Sequence, residues 1–199
     1  MESPLKVLSL VASTLEQHQI KYVLVGSFAS SIHGMYRSTA DIDIVADLKS
    51  EQVIPLLNSL QGSFYVDELA VGEAIARRQS FNAIHFDSVF KVDIFIPKSD
   101  EFSKKQIERR ELRTIAPDLE QMIHVATAED TILAKLRLYN AGGQVSINQW
   151  TDVVGIIGAS GTKLDLVYLQ EWSEKLNLAD LLKRAFTEAE AETRDNLNQ

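Results

Sequence analysis

The sequence predicts an α+β chain, with an α/β half over residues 1–115 and an all-helical half over 116–199. Two observations carry this. Apolar runs of strand length recur through the first half, at Tyr22-Val23-Leu24-Val25, Ile42-Asp43-Ile44-Val45 and Phe90-Lys91-Val92-Asp93-Ile94-Phe95-Ile96, with helically spaced stretches between them. After Pro117 the pattern changes to four helical segments, broken at Gly142-Gly143, at Gly158 to Gly161 and at Asn177.

The elements follow in order. Ser3-Pro4 reads as an N-cap with proline in the first turn, and Leu5, Val7, Leu8, Leu10, Val11 and Leu15 recur at helical spacing, so a helix is expected over 4–18. A short buried strand over 21–25 leads into a short helix over 27–34, which stops at Gly34. A second strand is expected over 40–45, a helix from Ser50 to about Leu60, a strand over 64–66 and a helix over 68–78. Residues 81–85 and 89–96 are rich in β-formers, and Phe86-Asp87-Ser88 between them has the length of a hairpin turn. Helices over 128–139, 146–157, 164–176 and 178–192 complete the chain.

Bulk properties exclude several classes. The 199 residues include no cysteine, so disulfides and thiolate metal sites are ruled out. No apolar run approaches the roughly 20 residues a membrane span needs, and the N-terminus lacks the basic and apolar regions of a signal peptide; the expected location is the cytoplasm, with no membrane partner. A net charge of −8 argues against holding bulk duplex DNA by charge alone.

The chemistry concentrates in three acids. Asp41 and Asp43 stand one residue apart in one apolar run, and Asp93 lies inside another. An unpaired carboxylate buried in apolar surroundings costs several kcal/mol, so such acids are paired or bind metal. In a strand, residues i and i+2 project from one face about 6–7 Å apart. Asp41 and Asp43 therefore point together while Ile42 and Ile44 face the core. Hard carboxylate oxygens suit Mg²⁺, or Mn²⁺, and an adjacent strand carrying Asp93 adds a third ligand. Upstream, Gly26-Ser27 ends the first strand where a helix begins, offering free backbone N–H groups and a hydroxyl to a phosphate.

This order of parts (strand, Gly-Ser, helix, Asp-x-Asp strand, later strand with a lone Asp) resembles the polymerase-beta-like nucleotidyltransferase superfamily. The stretch from Val25-Gly26-Ser27 to Arg37-Ser38-Thr39-Ala40-Asp41-Ile42-Asp43 resembles the minimal and AbiEii-type (abortive-infection toxin) bacterial branches, in which an Arg-x-Thr-x-Asp-hydrophobic-Asp run is common. The resemblance implies a mixed β-sheet with flanking helices followed by a C-terminal helical bundle. It implies Mg²⁺-dependent transfer of a nucleoside monophosphate from an NTP, with Asp41, Asp43 and Asp93 as metal ligands. Gly26 and Ser27 would bind the β and γ phosphates, and Arg37 and Thr39 are further nucleotide-binding candidates, Arg37 because its fork binds phosphate oxygens bidentately. Ala128-Glu129-Asp130, Lys135 and Asp152 resemble the helical half of the AbiEii-type proteins, where Lys135 would neutralise phosphates and Asp152 would position or deprotonate the acceptor. The acceptor remains open between a tRNA or other RNA end, a partner protein's side chain and a small molecule, and a toxin–antitoxin component is one such setting. The alternative is a non-catalytic nucleotide-binding or protein-interaction module.

The run from Lys104-Lys105 to Arg109-Arg110 is interleaved with Glu101, Glu108 and Glu111 and reads first as a solvated helix face, second as a small RNA contact.

Overall fold

Strand pairing organises the first half of the chain. The computed structural model describes residues 3–34, 41–115 and 121–197. It divides into two compact units: the first ends at Ala126, and the second begins at Thr127 and also takes in residues 29–34.

In the first unit, α1 (Pro4–Gln17) precedes β1 (Tyr22–Val25), and α2 (Gly26–Ile32) begins directly at the strand's end. Then come β2 (Ile42–Ala46), α3 (Val53–Leu60), β3 (Phe64–Val66), α4 (Glu68–Arg77), β4 (Ser80–His85), β5 (Lys91–Phe95), α5 (Glu101–Glu108), β6 (Glu111–Thr114) and β7 (Met122–Val125). The seven strands form one mixed sheet in the order β3-β4-β5-β2-β1-β7-β6. The β2–β5 and β1–β7 pairs are parallel and the others antiparallel.

Local chemistry accounts for the elements. The Ser3 side chain accepts from Lys6 N at the start of α1, and α1 buries Val7, Leu8, Val11 and Leu15. Asp67 caps α4 by accepting from Leu69 N and Ala70 N. Strand β5 begins at Lys91, two residues after the expected start, because Val89 adopts φ +58° in the turn that follows β4. That turn is closed by His85, whose Nδ1 lies 2.9 Å from Ser88 Oγ.

Alternation in the central strands sets the register. Ile42, Ile44, Val92 and Ile94 are fully buried, while Asp43, Lys91 and Asp93 are half-buried on the other face. Full burial of each such aliphatic side chain contributes about 1.5–3 kcal/mol. A one-residue slip would forfeit that and bury the acids instead, so the register is strongly specified. Two strands were not announced by any apolar pattern. In β6 three of four residues are exposed, and β7, which carries the sheet past residue 115, buries only Ile123 and Val125.

The second unit is helical, built from α6 (Ala128–Ala141), α7 (Ile147–Ser160), α8 (Leu166–Lys175) and α9 (Ala179–Leu197), with the end of α2. The Thr127 hydroxyl caps α6 by accepting from Asp130 N at 3.1 Å. Ile132, Leu133, Leu136, Val153, Ile156 and Ala185 are fully buried. Among the described residues, no helix is long and apolar enough to cross a membrane.

Gly34 closes the turn after α2 with φ +108°, and a Cβ there would fall 2.3 Å from the Ala159 Cβ on α7. Gly34→Ala therefore meets both an unfavourable backbone and a rigid neighbour. The expected loss is about 2–4 kcal/mol, a fall in Tm of roughly 5–15 °C in a thermal melt followed by circular dichroism.

Candidate active site

One row of side chains crosses four strands of the sheet. Val25 on β1 pairs with Asp43 on β2, Asp43 with Asp93 on β5, and Asp93 with Asn82 on β4. Paired positions share a face, so the carboxylates of Asp43 and Asp93 project side by side from neighbouring parallel strands, whose backbones lie about 4.8 Å apart. Asp41 stands immediately ahead of β2 and is exposed.

Gly26 lies beside Asp43. It adopts φ +66°, and a Cβ built on it would fall 2.0 Å from Asp43 Oδ2 and 2.8 Å from the carboxyl carbon. Only a residue without a side chain lets the β1–α2 turn come so close to this carboxylate. Ser27 follows in the first turn of α2 and is half-buried.

Lys91 shares this face, because it precedes Asp93 by two positions on β5. Its Nζ lies 2.8 Å from Asp93 Oδ2, with the Lys91 side chain 41% exposed and the Asp93 side chain 16% exposed. The hydrogen bond to Asp93, and then the charges of Asp93, Asp41 and Asp43, hold the ammonium above the ordinary lysine range against the opposing effect of desolvation. Among the described residues, no three carboxylate or imidazole side chains are gathered closely enough to hold an ion as they stand. The donor chemistry nonetheless fits a hard divalent cation, with carboxylate oxygens as ligands and a cation, the Lys91 ammonium, already drawn to Asp93.

Lys135 and Asp152 come together in the helical unit. Lys135 Nζ lies 2.6 Å from Asp152 Oδ2, with side-chain exposures of 5% and 2%, and Lys135 Nζ also donates to Gln149 Oε1 at 3.3 Å. Asp130, fully buried five residues before Lys135, accepts from Tyr168 Oη at 2.6 Å, and Glu129 accepts from Asp165 N at 3.0 Å. The helical unit thus holds a buried polar network on α6, α7 and α8. Arg37 and Thr39 lie outside the described residues.

Sequence reasoning passed over Lys91, Asn82 and the Tyr168–Asp130 pair. Lys91 was within reach, since strand alternation alone puts it on the face of Asp93. Asn82 depends on the β4–β5 register, and Tyr168 on helix packing, neither of which periodicity reveals.

Comparison with solved structures identifies the fold. The chain is similar to an antigenic nucleotidyltransferase-like protein from Paracoccidioides brasiliensis, with a TM-score of 0.54 at 16% identity, over 92% of this chain and 91% of that one. It is similar to the antibiotic-resistance factor ANT(2″)-Ia, with a TM-score of 0.55 at 8% identity, over 90% of this chain and 96% of that one. A second structure of ANT(2″)-Ia, in complex with adenylyl-2″-tobramycin, gives a TM-score of 0.50 at 12% identity, over 92% and 95% of the two chains. No protein-family model matches the sequence, and no curated protein matches it. These likenesses establish an α+β, nucleotidyltransferase-like fold: a mixed sheet with flanking helices, followed by a helical bundle.

Proposed function

We propose that this chain is a metal-dependent nucleotidyltransferase that moves a nucleoside monophosphate from an NTP to an acceptor. The observation that carries the reading is the register pairing of Asp43 with Asp93 beside a glycine that admits no side chain, in a fold shared with nucleotidyltransferase-like proteins.

Asp41, Asp43 and Asp93 would hold Mg²⁺ or Mn²⁺, and the metal would supply neutralisation of the triphosphate's charge and polarisation of the phosphorus under attack. In the transfer, an acceptor oxygen forms a bond to the α-phosphorus, the bond from that phosphorus to the bridging oxygen breaks, and pyrophosphate leaves. Asp93 favours loss of the acceptor's proton. The Gly26-Ser27 turn receives the β and γ phosphates through backbone N–H groups and the Ser27 hydroxyl, with Arg37 and Thr39 as further contacts. The protein's work is positioning and charge compensation. Lys135 and Asp152 are assigned to the acceptor side on the AbiEii-type resemblance, as is a place in a toxin–antitoxin pair in the cytoplasm. The acceptor is an RNA end such as that of tRNA, a protein side chain or a small molecule.

The test is label transfer. The full chain is incubated with each α-³²P-labelled NTP, Mg²⁺ or Mn²⁺, and total RNA, total protein and a panel of aminoglycosides in separate reactions. Label that reaches one acceptor class, and is lost when Asp41 and Asp43 are both changed to alanine, is the expected result and names the acceptor. NTP binding with no label on any acceptor overturns the enzyme and leaves a nucleotide-binding module.

A further inference from the structure

We propose that Asn82 binds the acceptor by holding a polar group next to the oxygen that attacks, and that the acceptor therefore carries its reacting hydroxyl in a vicinal diol or amino alcohol. The inference rests on the nucleotidyl-transfer reading above and names the acceptor chemistry which that reading leaves open.

Strand register supplies the first argument. In the row of paired positions, β1 ends at Val25 and leads into the Gly26-Ser27 turn; Asp43 comes next, then Asp93, and Asn82 on β4 closes the row. Strands about 4.8 Å apart put β4 about 14 Å from β1. In a phosphoryl-type displacement the attacking and leaving oxygens stand roughly in line, on opposite sides of the phosphorus. With the β and γ phosphates seated at Gly26-Ser27, pyrophosphate leaves toward the β1 end of the row. The attacking oxygen then enters from the other end, where Asp93 and Asn82 stand.

Reach and chemistry supply the second argument. Directly opposed residues of antiparallel strands share a face, with Cβ atoms about 4.5–5.5 Å apart, so Asn82 and Asp93 reach neighbouring atoms of one bound molecule. Asn82 is exposed, as are Tyr65 and Phe95 on the same face, so this stretch of sheet lies open. A carboxamide offers both a donor and an acceptor without a charge, which suits a hydroxyl or an amine. An asparagine on an open sheet face is often only solvated, yet strands are depleted in it. Phe81 and Ala83 on either side supply the buried face of β4, so packing does not require an amide between them. The place opposite Asp93 gives that amide a task.

Label transfer by the full chain, with α-³²P-labelled NTPs and Mg²⁺ or Mn²⁺, tests both halves of the proposal. Total RNA, a panel of aminoglycosides and total protein are offered separately, each untreated and after periodate oxidation, which cleaves vicinal diols and amino alcohols. The expected result is transfer to untreated RNA or to an aminoglycoside, lost after periodate; the class that takes the label distinguishes a ribose end from a small-molecule sugar. Label that survives periodate, or that goes to protein alone, overturns the inference and leaves the nucleotidyltransferase reading intact. No label on any acceptor overturns both. These arms use the wild-type chain and do not depend on how a variant folds. Asn82→Ala is then expected to raise the half-saturating acceptor concentration about tenfold, the factor that about 1.4 kcal/mol of lost hydrogen bonding produces, with the half-saturating NTP concentration unchanged. Acceptor saturation that stays at the wild-type value, or a loss confined to the NTP, overturns the role of Asn82.

Discussion

Gly26→Ala is expected to remove label transfer almost as completely as loss of the Asp43 carboxylate itself, by roughly 10²-fold or more, because ångström-scale misplacement of a positioning group costs about that much. Two costs combine. The residue at 26 holds φ +66°, where an L side chain is disfavoured by about 1–2 kcal/mol. The new Cβ would also sit 2.0 Å from Asp43 Oδ2, 2.8 Å from Asp43 Cγ and 2.9 Å from Asp43 Cβ. A carboxylate tip can rotate away, but the Asp43 Cβ is anchored to a strand paired on both sides, so the turn or the carboxylate must shift. Overpacking of this kind costs about 1–3 kcal/mol. Thermal melts and label transfer on the same preparation separate the two effects. A second change, Asp43→Gly in the Gly26→Ala background, should return the packing share of the stability, leave the backbone share lost and restore no activity. If Gly26→Ala transfers label at the wild-type rate, the carboxylate of Asp43 is not part of the machinery.

How much of this site could be read from the sequence depends on the range of the interaction that forms it. The faces of Asp43 and Asp93 follow from a period of two inside apolar runs, and the structure has both on the half-buried face. That Asp43 meets Asp93 in register is a non-local parallel pairing, β2 with β5, across an intervening stretch that holds two helices and two other strands. Alternation within either strand carries no information about it. The missed strand β6 has a physical reason of the opposite kind. It is an edge strand, and Glu111 and Arg113 carry an ion pair there instead of apolar side chains, which keeps an open edge from pairing with another chain. Val89 was read into a strand because β-branched residues favour strands, yet the turn after β4 holds it at φ +58°. In each case local propensity yielded to a tertiary requirement. Lys135 shows the limit most sharply. Its helix is legible, but whether a lysine on that helix faces water or a buried aspartate on the next one is decided by packing.

That buried pair carries the other large expected effect. Lys135→Met leaves Asp152, 1% exposed, without the ammonium at 2.6 Å. Removing one partner of a buried ion pair costs about 3–5 kcal/mol, because the remaining charge stays desolvated after losing its closest counter-charge. For a chain of this length the expected fall in Tm is roughly 6–20 °C. Changing both partners, Lys135→Met with Asp152→Leu, removes the stranded charge and should recover most of the loss, since a buried pair replaced by apolar residues of similar size is often neutral or stabilising. Gln149 is half-buried and can turn its freed amide toward water. Stability alone therefore gives no strong reason for a lysine and an aspartate at these positions. The double variant makes the distinction: a chain that melts near the wild-type temperature but transfers no label assigns Lys135 and Asp152 to the reaction. A chain that both melts and transfers label like wild type shows that the pair serves only to fix how α6 packs on α7.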